Sequence, residues 1–229
     1  MRVCSLFSGG KDSTYALHWA FLKGFEVKCL VTLEPARGDS WMFHRPAVSL
    51  TRLQAQALGL PQVYRKTTGE RDVELEDLRE TLSEAVRRYQ VEGVVTGVLL
   101  SDYQRMNINI VCEELGLRVY SPLWRKDQSR YLRELVDMGF EFIITAIDVY
   151  GLGPRFLGRV LTRRDVEEIV ALASRYGFNP AFEGGEAETL VVCAPLFKKR
   201  LEVRGRVVRV GPCSWRYIIE SARLVSVDA

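Results

Sequence analysis

The chain has 229 residues, 47% of them hydrophobic, and its 32 Lys and Arg against 29 Asp and Glu leave a formal net charge of +3. That length and composition bury a substantial core in one large or two smaller domains, while a charge so near balance makes no case for nucleic acid as a partner. No stretch has the continuous apolar length of a membrane span, and Met1 and Arg2 run into strand-like residues without a signal-peptide layout, so the expected location is the cytoplasm.

In chain order, an apolar run at 3–7 reads as a strand and is followed by Ser8, Gly9, Gly10, Lys11, Asp12 and Ser13, then a helical stretch over 13–23. Further β-branched runs at 26–33, 62–67, 93–99 and near Val119 alternate with helical spacing. Leu75, Leu78, Leu82, Ala85, Val86 and Tyr89 line one helix face, and Ile108, Val111, Cys112 and Leu115 line another. This is the pattern of a parallel α/β sheet. Residues 121–128, with a Pro and several charges, mark the junction, which gives domains 1–123 and 124–229. Beyond it the pattern is α+β: a helix over 131–138, a buried strand over 142–147, and a helix with a capping box of Thr162 and Asp165 that ends at Gly177. Two runs at 201–203 and 207–210 read as a hairpin turning at Arg204, Gly205 and Arg206, with a short strand at 217–219. The five cysteines, Cys4, Cys29, Cys112, Cys193 and Cys213, form no Cys-x-x-Cys pair and read as reduced core residues.

The turn at 8–13 carries the chemistry. Two glycines after a strand let the backbone approach an anion, and the helix behind them points unpaired N–H groups and a positive dipole end at it. Ser8 and Ser13 add hydroxyls and Lys11 a charge, but Asp12 follows Lys11 where a Walker A loop needs Ser or Thr. In an open parallel sheet, ligands bind beyond the strands' carboxyl ends. The loop after the second strand carries Trp41, Phe43 and His44, a group of rings and an imidazole; His18, inside the first helix, reads as structural. After the fourth strand, Tyr103, Gln104 and Arg105 open a helix capped by Ser101 or Asp102, which sets Arg105 either against a phosphate or in solvent. The segment Glu183, Gly184, Gly185, Glu186, Ala187, Glu188 and Thr189 sets three carboxylates around a Gly-Gly turn; in an extended chain Glu186 and Glu188 face one side. Such a pair holds Mg2+, attracts ammonium or serves as a base, and the alternative is an exposed acidic turn.

The turn at 8–13 resembles the signature of the N-type ATP pyrophosphatases, the PP-loop family, which split ATP to AMP and pyrophosphate. With the segments 40–44, 101–105, 122–128 and 183–189, and with Ala194, Pro195, Leu196 and Phe197, the chain is similar over nearly its whole length to the diphthine-ammonia ligase branch of that family. The resemblance implies a HUP-type domain, a five-stranded parallel sheet with helices on both faces, followed by a smaller α+β domain. It implies ATP and Mg2+ as cofactors, and ammonium and diphthine-modified translation elongation factor 2 as substrates. The product it implies is diphthamide, formed through an acyl-adenylate with release of AMP and pyrophosphate.

On that resemblance Ser8, Gly9, Gly10, Lys11, Asp12, Ser13, His44 and Arg105 would hold the nucleotide, with Asp12 nearest a Mg2+. Lys11, Glu186 and Glu188 would be catalytic. Trp41, Tyr103, Gln104, Trp124, Glu183, Gly184, Gly185 and Thr189 would meet substrate, the aromatic rings facing the trimethylammonium of diphthine. The chain departs from the family pattern at Asn107 and Asn109, where relatives tend to show Arg and Glu, at Phe182, often Gly, and at Cys193, often Asp. The competing readings are a PP-loop enzyme that modifies tRNA, for which no basic stripe or paired cysteines argue, and a HUP module that binds ATP without turnover. Oligomeric state stays open, a homodimer included.

Overall fold

A computed structural model describes residues 1–35, 48–68 and 71–227, with the backbone alone at 71 and 72. The chain forms two compact units, Met1–Arg125 and Lys126–Ala229.

The first unit runs β1 (Arg2–Leu6), α1 (Lys11–Leu22), β2 (Glu26–Pro35), a 3-10 turn (Val48–Leu50), α2 (Thr51–Leu58), β3 (Gln62–Thr67), α3 (Arg71–Tyr89), β4 (Gly93–Val95), α4 (Asp102–Glu114) and β5 (Arg118–Tyr120). Its five strands lie in the order β3-β2-β1-β4-β5, and every pairing is parallel. Alternation along the strands sends Cys4, Leu6, Cys29, Val31, Leu33, Val63 and Val94 into one core with Leu78, Leu82 and Ala85 of α3 and Ile108, Val111 and Cys112 of α4. Val3, Ser5, Leu30 and Thr32, the alternate set, are buried as well, as expected for a parallel sheet covered on both faces. The order of connections reverses between β1 and β4, and such a switch point opens a crevice at the strands' carboxyl ends.

The strand expected over 93–99 ends at Val95. β5 offers only three partners, and beyond Thr96, whose N–H donates to the Tyr120 carbonyl at 2.9 Å, the chain turns off toward α1.

The second unit runs α5 (Gln128–Asp137), β6 (Glu141–Asp148), a 3-10 turn (Pro154–Phe156), α6 (Arg163–Tyr176), β7 (Ala187–Cys193), β8 (Lys199–Gly211) and β9 (Ser214–Ser226). Its antiparallel sheet has the order β7-β6-β9-β8. Asp127 caps α5 by accepting from the Arg130 N–H at 2.7 Å. The capping box on α6 is present: Thr162 accepts from the Asp165 N–H and Asp165 from the Thr162 N–H, a pair worth about 1 kcal/mol. Arg159 also bonds Asp165 and holds its carboxyl well below the usual range. Gly177 ends the helix at φ 79°.

The hairpin differs from expectation. Arg204, Gly205 and Arg206 do not turn; they lie inside β8, and the chain reverses at Pro212 and Cys213, with 217–219 forming part of β9. Gly205 takes up a register shift instead, at a place where a Cβ would fall 2.2 Å from the Ile218 carbonyl oxygen. An isolated glycine in a strand pattern marks a bulge as readily as a turn. Of the cysteines, four are buried and Cys213, in this turn, is half-buried; none of the five is in a disulfide.

Candidate functional site

The phosphate turn is shorter than the spacing implied, because α1 begins at Lys11 and takes Lys11 and Asp12 into its first turn. Gly9 adopts φ 81°, a region that favours glycine, and Gly10 is the N-cap with extended backbone and no side chain capping the helix. A helix N-terminus with no side-chain cap presents its positive dipole end to an anion. Ser8 and Ser13 meet each other: the Ser8 N–H donates to Ser13 Oγ at 3.2 Å and the two hydroxyls lie 3.1 Å apart. The Gly10 carbonyl accepts from the Thr14 N–H at 3.1 Å, which closes the first helical turn, and from the Thr14 hydroxyl at 2.8 Å.

Lys11 is 2% exposed, and its Nζ donates to both carboxylate oxygens of Asp12, at 2.8 and 3.0 Å. The one cation in the turn is therefore held by its neighbour, and a phosphate arriving there would share it. His18 lies deeper in α1, where Nδ1–H donates to the Thr14 carbonyl at 2.7 Å and burial pushes the ring down to about 4. It is a neutral structural imidazole.

Three residues outside the sequence motifs shape this turn or the strand end before it. Gly97, just past β4, lies so close to α1 that a Cβ would sit 2.5 Å from the Asp12 carbonyl carbon and 2.6 Å from the Ser13 nitrogen. The available signal was a glycine at a strand's carboxyl end beside the switch point. Gln54 of α2 donates to the Gly9 carbonyl, and Thr32 of β2 donates to the Phe7 carbonyl at 2.7 Å. Neither lies in a recognisable motif.

At the other side of the same sheet edge, Ser101 caps α4, accepting from the Gln104 N–H at 3.2 Å. Tyr103 packs against the core. The Arg105 guanidinium lies 4.5 Å from the centroid of the Trp124 ring and that of Arg125 lies 5.5 Å away. Arg105 reaches Asp102 only at 3.4 Å, and Arg125 takes a left-handed backbone at φ 57° while its N–H bonds the Leu99 carbonyl. Trp124 thus carries two cations already, which a trimethylammonium group would have to displace. Asn109, at one of the departures, donates to the Arg105 carbonyl. Ser40, Trp41, Phe43 and His44 lie outside the described residues.

In the second unit the expected pairing of Glu186 with Glu188 is not formed. β7 begins at Ala187, so Glu186 stays in the turn, where it accepts from the Asn179 N–H at 2.9 Å and the Gly184 N–H at 2.7 Å. Its carboxylate organises the loop. Gly184 leaves it that room, since a Cβ there would fall 2.8 Å from Glu186 Oε1, and Gly185 turns at φ 82°. Phe182 adopts φ 66°, which explains why glycine suits this position; burial of its ring offsets the strain.

Glu188 lies in β7 opposite Ala146 of β6, which on its other side pairs with Arg216 of β9, so the three side chains share one sheet face. The ladder shifts register between Ile144 and Ala146, beside this row, and bulges re-aim side chains in this way. Burial pushes the Glu188 carboxyl up to about 7; Arg216 opposes the shift and Asp148 adds to it. Arg216 itself is held by Asp148, at 2.9 Å. Thr189 stands in the next row, opposite Ile144. Among the described residues no group of three or more His, Cys, Asp or Glu is arranged to hold a metal ion, and no helix is long and apolar enough to cross a membrane.

Comparison with known proteins agrees across both units. Residues 1–119 match the diphthamide synthase N-terminal domain family and residues 127–222 match the diphthamide synthase C-terminal domain family. A diphthine-ammonia ligase of Homo sapiens is 34% identical over 225 residues, covering 89% of this chain and 83% of that protein. One of Schizosaccharomyces pombe is 34% identical over 91% of this chain but only 37% of its own length. A solved structure, a predicted subunit of a tRNA methyltransferase from Methanocaldococcus jannaschii, has a TM-score of 0.42 at 17% identity, with 85% of this chain and 98% of that one covered; a likeness so loose bears on nothing further.

Proposed function

The chain belongs to the diphthamide synthase family, through a match in each of its units, and on that premise we propose that it uses ATP to amidate the diphthine carboxylate of translation elongation factor 2 with ammonia, a cytoplasmic reaction that yields diphthamide. The observation that carries this reading is the uncapped turn Ser8–Gly9–Gly10 at the switch point, with Lys11 behind it.

A carboxylate does not react with ammonia unaided. Its oxygen attacks the α-phosphorus of ATP, the bond to pyrophosphate breaks, and the acyl-adenylate that forms has AMP as a good leaving group. The departing pyrophosphate gathers negative charge, and the N–H groups at the start of α1 with Lys11 are the donors suited to it. Mg2+ binds as a rule through one or two carboxylates plus substrate phosphates; Asp12, in the first turn of α1, fits as its one protein carboxylate, sharing that group with Lys11. Arg105 and Arg125 add positive charge beside the same sheet edge.

Ammonia then attacks the acyl carbon, AMP leaves, and the nitrogen sheds a proton. Glu188 is the carboxyl we assign to that proton, because a group poised near 7 takes it up and returns it readily. Glu186 is a loop brace in this reading and no longer an equal candidate.

The test is pyrophosphate release with ATP, Mg2+ and ammonium, comparing diphthine-bearing elongation factor 2, unmodified factor and bulk tRNA. Release confined to the diphthine form is expected. Release driven by tRNA would select the tRNA-modifying reading, and ATP binding with no release from any of the three would select a binding module.

A further inference from the structure

Gln54 lies in α2, outside every motif of the nucleotide site, yet it is fully buried and its side chain ends on the phosphate turn. Its Nε2 donates to the Gly9 carbonyl at 2.9 Å, and its Oε1 sits 2.2 Å from where a Cβ on Gly9 would be, so Gln54 fills the space that only glycine leaves open. The next residues back brace the same element. Gln62 Nε2 donates at 2.9 Å to the hydroxyls of both Thr32 and Thr51; Thr32 donates to the Phe7 carbonyl and Thr51 to the Val48 carbonyl at 2.6 Å. Thr32 and Thr51 are 1% and 0% exposed. Two carbonyls of the turn, those of Phe7 and Gly9, are thus tied down from below by β2, β3 and α2.

A trans peptide is planar, with its C=O and N–H on opposite sides, and no peptide among the described residues is cis. Fixing the Gly9 carbonyl against Gln54 therefore turns the Gly10 N–H the other way, to the side on which the N-terminus of α1 opens. Without the Gln54 donor the Gly9–Gly10 peptide is free to flip, because both flanking residues are glycines with wide backbone freedom.

We propose that Gln54 is a positioning residue for nucleotide binding: by holding the Gly9 carbonyl it presents the Gly10 N–H to the phosphates of ATP and to the departing pyrophosphate. This rests on the reading of the 8–13 turn as a phosphate site.

Calorimetric titration of ATP-Mg2+ and of inorganic pyrophosphate into the full chain tests it. Gln54→Met keeps the shape and removes the donor; about tenfold weaker binding of both ligands is expected. Gln54→Glu supplies a second readout, since a protonated carboxyl donates to the Gly9 carbonyl and an ionised one does not. Its affinity relative to the wild-type chain at the same pH should rise as pH falls from 8 to 6. Leu82→Ala, in the α3 core, controls for lost stability: it should lower Tm and leave both affinities unchanged. Wild-type affinity in Gln54→Met, a Gln54→Glu ratio flat with pH, or an equal loss in Leu82→Ala would overturn the inference. Should the wild-type chain itself bind neither ligand, the phosphate-site reading falls, and this inference with it.

Discussion

Two Gly-Gly turns, one in each unit, adjoin the residues we propose for the chemistry, and they are built in opposite ways. At 8–13 side chains hold backbone in place, with Gln54 tying down the Gly9 carbonyl and Thr32 that of Phe7 just before the turn. At 183–189 backbone N–H groups are spent on holding one side chain, Glu186, and what remains for chemistry is a different carboxyl, Glu188, on the adjoining strand.

Substitutions sharpen that contrast, beginning with the largest effect. Lys11→Ala removes a preorganised cation, and turnover measured by pyrophosphate release should fall roughly 10² to 10³-fold; unchanged turnover would leave the first turn with backbone donors alone. Glu188→Gln should slow amide formation by roughly 10²-fold and erase a limb near pH 7 from the rate profile.

The same variant bears on stability. The folded pKa of Glu188 lies above its ordinary 4.5, at about 7, so the folded chain holds the extra proton between those values. Stability therefore falls as pH rises through that window, by roughly 3 kcal/mol in all. Denaturant melts at pH 5 and pH 8 should show that decline in the wild-type chain and a flatter profile in Glu188→Gln; identical slopes would place Glu188 in solvent.

Gly97→Ala drives a methyl into the backbone of Asp12 and Ser13 and should cost roughly 1 to 3 kcal/mol of stability along with ATP affinity. Glu186→Gln, whose amide oxygen keeps one of the two N–H bonds while its NH2 faces the other N–H, should cost roughly 1 to 3 kcal/mol and leave the pH profile alone; a lost limb near pH 7 in this variant would reverse the assignment of the two carboxyls.

The first turn was legible because its demands fall on residue types. Only glycine takes φ 81° there at no cost, and serine and lysine at fixed offsets reveal the rest. The five parallel strands were legible for a similar reason, since alternation and β-branching are local. The second turn hid its logic because the decisive facts are long-range: which backbone N–H groups reach Glu186, and which residues of β6 and β9 share a row with Glu188. A one-residue slip in a strand's pairing register moves every side chain to the other face. Gly205 misled for a related reason, as the sequence does not say whether a glycine ends a strand or bulges within it. Gln54 and Thr32 were invisible because nothing about a helical Gln or a strand Thr announces a carbonyl brought to it by the fold.

The most direct test of the account follows one atom. With diphthine carboxylate labelled by 18O, activation by transfer of AMP must leave one labelled oxygen in the AMP released alongside amide formation. Mass spectrometry of AMP, pyrophosphate and inorganic phosphate should find the label in AMP alone; label in inorganic phosphate, or amide formed with none in AMP, would contradict it.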